Sequence, residues 1–149
     1  MNRVKSGYNK INKGKERDVM DKLVESEIKI IEEIIRTKDG PTLMINLNRY
    51  KEGLFPFSDV YLKWKEVNEL MIDSVGGKIL WRLPVLGQLL TNNADEPIDE
   101  IIAYWYPSHQ SLLATRGTEI TKLNFELRQD LIDYAIIHRV DGQNPPIVG

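Results

Sequence analysis

Residues 42–50 read TLMINLNRY, and the alternation along them decides the fold. Leu43, Ile45 and Leu47 fall on one side of a two-residue period and Met44, Asn46, Asn48 and Tyr50 on the other, the signature of a β-strand. Upstream the period changes. From Arg17 to Thr37 apolar residues recur three and four apart (Met20, Leu23, Val24, Ile28, Ile31, Ile34, Ile35), one stripe of an amphipathic helix. Arg36 and Lys38 suit its C-terminal dipole, and Gly40-Pro41 is expected to stop it, Gly40 in a left-handed cap.

Downstream, Ser58 caps a second expected helix that directs Val60, Tyr61, Trp64, Val67, Leu70 and Met71 to a core and ends before Gly76-Gly77. Lys78 to Leu83 is a second strand, interrupted at Pro84 and continued by Val85 to Leu90. A polar turn from Thr91 to Pro97 leads to a third strand, Ile98 to Tyr106, which forms a hairpin with the second. A short helix covers Ser108 to Thr115, and another covers Thr118 to Asp133, with Ile120, Leu123, Leu127 and Leu131 aligned inward. Tyr134 to Asp141 is the last strand and Gly142 to Gly149 a tail.

Apart from the leading helix, the order is the split βαβ, ferredoxin-like α+β arrangement βαββαβ, an antiparallel sheet with helices on one face. The opposite face has no covering element in the chain, so a homodimer that packs two sheets together is expected. Residues 1–40 then form a basic arm and helical extension, and residues 41–149 a dimeric α+β barrel domain.

The composition fits one soluble domain: 149 residues, 42% hydrophobic, net charge −2 and no cysteine, which removes thiolate chemistry and Cys-based metal sites. No apolar run is long enough to span a bilayer, and the cytoplasm is the expected compartment. Arg3, Lys5, Lys10, Lys13 and Lys15 form a cationic arm without aromatic interleaving, more suited to a solvated terminus than to nucleic acid. Gly76-Gly77-Lys78 lacks the upstream glycine of a phosphate loop. Asp95, Glu96, Asp99 and Glu100 are expected to be a solvated acidic turn.

Three segments carry a resemblance. Met44-Ile45-Asn46-Leu47-Asn48-Arg49-Tyr50-Lys51, Gly76-Gly77-Lys78-Ile79-Leu80-Trp81, and Asp99-Glu100 before Tyr106-Pro107-Ser108-His109 resemble, in order, the motifs of the bacterial domain-of-unknown-function family numbered 1330. That family belongs to the dimeric α+β barrel superfamily. Asn48 stands where the family commonly has Leu, and His109 where it commonly has Arg. The resemblance implies a fold and a homodimer; the superfamily's chemistry is too varied to imply a reaction.

The purely aliphatic side of the first strand is expected to face the helices and the amide-bearing side the barrel interior. On the third strand Ile102, Tyr104 and Tyr106 are placed inward, although both its faces are apolar and alternation alone does not fix which is which. The resulting pocket holds His138 as general base, Asn46 and Tyr104 as catalytic donors, and Asn48, Trp64, Trp81, Arg82 and His109 as substrate contacts. Ser108 beside His109 is a helix cap rather than a nucleophile. The expected activity is cofactor-independent proton transfer, of isomerase, cyclase or monooxygenase type, on an apolar or aromatic carbonyl compound, with no metal. The alternatives are a non-catalytic small-molecule binding protein and a partner-docking module using the N-terminal helix.

Overall fold

The computed structural model describes residues 23–91 and 97–143. The basic arm, the expected first turns of the leading helix, the centre of the 91–97 turn and most of the C-terminal tail lie outside the described residues. Helix α1 spans Glu25–Lys38, strand β1 Thr42–Tyr50, helix α2 Asp59–Asp73 and strand β2 Lys78–Pro84. Strand β3 follows at Glu100–Tyr106, then α3 at His109–Ala114, α4 at Glu119–Leu131 and β4 at Ile132–Asp141. The four strands form one antiparallel sheet in the order β2-β3-β1-β4, the split βαβ topology read from the sequence.

Local chemistry explains most boundaries. Ser58, Ser108 and Thr118 each accept a backbone N–H from the residue three positions on, capping α2, α3 and α4. Helix α1 begins at Glu25, where Val24 is extended and Glu25 and Glu27 supply the negative charge that favours a helix N-terminus; the expected start at Arg17 lies outside the described residues. It ends on Asp39, also extended; Gly40 does not take the expected left-handed cap. Strand β2 stops at Pro84, so residues 85–90 do not continue it, and Leu86, Leu89 and Leu90 stand fully or almost fully in solvent. Gly77 is buried where α2 turns into β2: a Cβ there would lie 2.8 Å from Ile72 Cγ2 and 2.9 Å from the Trp105 carbonyl oxygen.

Strand pairing settles the faces, because directly opposed residues of an antiparallel pair share one. Met44, Asn46 and Asn48 of β1 lie opposite Tyr104, Ile102 and Glu100 of β3. Tyr50, Ile102, Tyr104 and Tyr106 pack with Tyr61, Trp64 and Met71 of α2 and with Leu131 in the core under the helices. The sequence assignment of β1 is therefore reversed: the amide side faces the helices and the aliphatic side faces away. The physical reason is that α4 turns a polar stripe inward. Thr121, Asn124 and Arg128, at i, i+3 and i+7, are buried, while Leu123, expected inward, is exposed.

The open side of the sheet carries Leu43, Ile45, Leu47, Ile101, Ala103 and Trp105, with Trp81 and Leu83 from β2 and Ile136, His138 and Val140 from β4. Helix α1 stays off it. Glu27 is ion-paired to Arg139, which lies opposite Met44 on the helix side, and α1 packs against α3.

The close approach at Gly77 gives a direct check. Gly77→Ala should lower unfolding free energy by about 1–3 kcal/mol, read by chemical denaturation. Gly87→Ala, with nothing within 4 Å of the added carbon, should leave it within about 0.5 kcal/mol.

Candidate functional site

Between the sheet and the helices lies a layer of buried polar side chains, unusual because such groups are costly to bury unless each finds a partner. At its centre is Glu100, 3% exposed and not the solvated turn residue expected from the acidic run. Tyr50 and Tyr61 donate their hydroxyls to its two carboxylate oxygens, at 2.5 and 2.8 Å. Arg82 Nη1 lies 3.6 Å from Glu100 Oε1, and its guanidinium sits over the Trp64 ring, 5.2 Å from the centroid. Neighbouring Asp99 also leaves the acidic turn, accepting the Tyr50 backbone N–H at 2.8 Å.

From this pair the network runs on. Arg82 Nη2 and the Tyr104 hydroxyl both donate to Asn68 Oδ1, each at 2.8 Å, and Asn68 Nδ2 reaches Asn124 Oδ1 at 3.4 Å. At the other end Asn48 Nδ2 donates to the Tyr50 hydroxyl at 3.2 Å. Burial, reinforced by Glu100, pushes the Tyr50 and Tyr61 phenols far above their ordinary range. Burial also raises Tyr104, to about 12, although Arg82 and Arg128 act to lower it. These phenols are therefore neutral donors at any physiological pH.

The layer opens at Asn68, Tyr104, Asn124 and Arg128 onto a cavity of about 410 Å³. Strand β1 adds Met44 and Asn46, α4 adds Thr121 and Phe125, and β4 adds Ala135 and Ile137. The remaining wall is mostly apolar and comes largely from α1, the two residues before it and α3, through Leu23, Val24, Ile28, Ile31, Leu112 and Leu113, with Glu27, Thr115 and Arg116 as its polar members. Its volume and mixture of aliphatic wall with converging polar groups match small-molecule sites in general.

Helix α1 is held against this cavity at both ends. Besides the Glu27–Arg139 pair, the Asp39 carboxylate accepts the backbone N–H groups of His109 (2.8 Å) and Gln110 (3.1 Å), and His109 Nδ1 lies 3.0 Å from Asp39 Oδ1. Burial acts to raise the Asp39 carboxyl, but its hydrogen bonds with His109, Gln110 and Gly40 outweigh that and hold it below 3.8.

The residues expected to form one pocket are thus distributed over four places. Asn46 and Tyr104 line the cavity; Asn48, Arg82 and Trp64 belong to the buried layer behind it. His109 is in the α1–α3 clamp. Trp81 and His138 lie on the open side of the sheet, His138 opposite Ile45, so the sheet separates His138 from Asn46 and Tyr104. Sequence reading missed Asn68, Asn124, Arg128 and Glu100. The available signal was spacing: Asn68 follows Trp64 by four, and Thr121, Asn124 and Arg128 share a helical face. Among the described residues no group of three or more His, Asp or Glu side chains is placed to hold a metal ion. Nor is any helix among them long and apolar enough to cross a membrane.

No protein-family model matches the chain, and no curated protein matches it either. Solved structures do. A protein of unknown function from Rhodopseudomonas palustris superposes with a TM-score of 0.67 at 20% identity, covering 85% of this chain and 98% of that one. The methylated form of that protein gives a TM-score of 0.66 at 20% identity, with 85% and 96% covered. At this identity the likeness establishes the shared α+β fold.

Two measurements check the interactions above. Glu100→Gln should cost about 3 kcal/mol of stability by leaving Arg82 without its counter-charge, whereas Tyr61→Phe should cost about 1 kcal/mol. Asp39 titrates lower in the folded chain than in the unfolded one, so its contribution is complete above pH 3.8 and is lost as pH falls through the folded value. The stability difference between the wild type and Asp39→Asn, by thermal melts, should therefore be constant from neutral pH down to about 5 and shrink below about 4.

Proposed function

We propose that this chain is a small-molecule holding protein whose ligand occupies the cavity between the sheet and α1, α3 and α4. The observation that carries the reading is the cavity itself: an apolar chamber with Asn46, Asn68, Tyr104, Asn124 and Arg128 along its wall. A protein needing only a stable core would fill such a space with side chains, because voids forfeit dispersion contacts and polar groups are expensive inside.

Proton-transfer catalysis is the second reading, favoured by the Tyr104 and amide groups, which could stabilise a developing oxyanion. It requires a base in the same space. Among the described lining residues the only carboxylate is Glu27, already paired with Arg139, and His138 lies across the sheet. Holding a ligand without changing it needs no such group.

The chain acts, in this proposal, as a homodimer of the 1330-type family of dimeric α+β barrels, with a second copy covering the open side. Support comes from the aliphatic and indole groups there and from the solvent-exposed Leu86, Leu89 and Leu90 beyond β2, which none of the described residues buries. Four strands about 4.8 Å apart and about 23 Å long give a projected footprint on the order of 450 Å² per copy. With surface relief and the leucine arm, that reaches the roughly 1,200 Å² total of a specific interface. Helix α1, as a cavity wall, belongs to the fold in this reading and is not a docking peptide.

Native mass spectrometry should detect a dimer that retains one small molecule per chain, recovered unchanged after release. A chemically altered product would favour the catalytic reading, and a stable monomer in sedimentation would remove the interface. Ile45→Lys, on the open side away from the cavity, should shift the dimer to monomer while leaving the retained molecule bound.

A further inference from the structure

The buried layer sets the hydrogen-bond polarity of the cavity wall. A guanidinium has donors only, so the Asn68 atom 2.8 Å from Arg82 Nη2 is its carbonyl oxygen, and the Asn68 nitrogen points the other way, to Asn124. The Asn124 atom 3.4 Å from that nitrogen accepts and is therefore Oδ1, which leaves Asn124 Nδ2, with two hydrogens, as the end of the chain. Tyr104 gives its one hydrogen to the same Asn68 oxygen, at 2.8 Å, and burial keeps the phenol neutral. Any further bond at its oxygen is one it accepts, which takes Tyr104 out of the oxyanion role in the catalytic reading.

Two amides on this wall are left incomplete. Asn46, 1% exposed, donates to the Met44 carbonyl at 3.4 Å, and its Oδ1 has no hydrogen-bond partner among the described residues. Asn124 is 3% exposed, and its Nδ2 has none among them either. Both side chains line the cavity, whereas the unpartnered Asn48 Oδ1 is enclosed in the layer behind it. Buried amide groups are costly without partners, so this wall suits an occupant that accepts at Asn124 and donates at Asn46 and Tyr104. At roughly 30 Å³ per water-sized group, 410 Å³ accommodates about a dozen non-hydrogen atoms.

We infer that the cavity selects a carboxamide on an apolar body, its carbonyl oxygen accepting from Asn124 Nδ2, its N–H groups donating to Asn46 Oδ1 and the Tyr104 oxygen, and its body against the leucines and isoleucines of α1 and α3. This rests on the small-molecule reading above. A carboxamide carries an acceptor and donors on neighbouring atoms and matches all three groups. A ketone lacks the donors, and a carboxylate sets its lone pairs against those of Asn46 and Tyr104. A site built to pair an N–H discriminates strongly against an analogue without one, because its own buried groups are then left unpaired.

Titration calorimetry of the full chain at neutral pH with octanamide, 2-nonanone and octanoate tests the inference without any variant; the first two have the same shape and differ only by an amino group in place of a methyl. Octanamide should bind about tenfold or more tightly than either of the others, although the ketone is the more apolar and would bind best in a chamber indifferent to the head group. Asn46→Ala, which leaves the chain from Arg82 through Asn68 to Asn124 in place, should reduce the preference over 2-nonanone by about threefold or more, through loss of octanamide affinity. Equal binding, a reversed order, or a preference undiminished in Asn46→Ala overturns the carboxamide assignment and leaves the small-molecule reading standing. Binding of none of the three overturns both.

Discussion

A single buried carboxylate organises this molecule. Glu100 lies between the sheet and the helices, where an unpaired charge would cost several kcal/mol or more. Two phenols and one guanidinium answer it, drawn from β1, α2 and β2, so the requirement to satisfy one residue fixes the relative placement of four elements. Arg82 donates in turn to Asn68, which also receives Tyr104, and the chain of bonds ends at the cavity. Cavity shape and core stability are consequently not independent. The polar groups that line the cavity are themselves held by the groups that answer Glu100.

The same constraint gives the core its unequal halves. Near β1's C-terminal end the interior is aromatic, with Tyr50 stacked on Phe55 at 4.9 Å and in edge contact with Tyr61 at 5.3 Å. Toward α1 and α3 packing gives way to open volume, and the helix walling that volume is fastened to the body by its two ends, Glu27 to Arg139 and Asp39 to His109 and Gln110, with Ile31 buried between them. A wall tied at its ends and packed along one stripe is suited to bounding a chamber, since the middle can adjust to an occupant while the ends keep their register.

Much of the architecture was legible in local chemistry. The two-residue period of 42–50, the capping residues Ser58, Ser108 and Thr118, and the Gly76-Gly77 break each act within a few residues, and each produced the expected element. Val85 to Leu90 did not, because a proline that ends pairing leaves later residues without a partner strand, whatever their propensity. The candidate site was legible in part. Asn46 and Tyr104 do share one face, but that face lies under the helices and not in the barrel interior where they were expected, and His138 was grouped with them without any signal for the register of β4 on β1, which sets it opposite Ile45.

The sequence by itself determined where strands and helices lie and which residues share a face, because backbone periodicity and capping are short-range. Which face turns inward was decided only by tertiary structure. Two sets of side chains on a pleated strand differ by a half-turn, and the choice between them depends on what the opposing helices present. Here α4 presents Thr121, Asn124 and Arg128 and α2 presents Asn68, so the asparagines of β1 meet polar partners under the helices, and Leu43, Ile45 and Leu47 are left to the outside. The identity of that opposing surface comes from residues some twenty to eighty positions away, which no local pattern in 42–50 encodes.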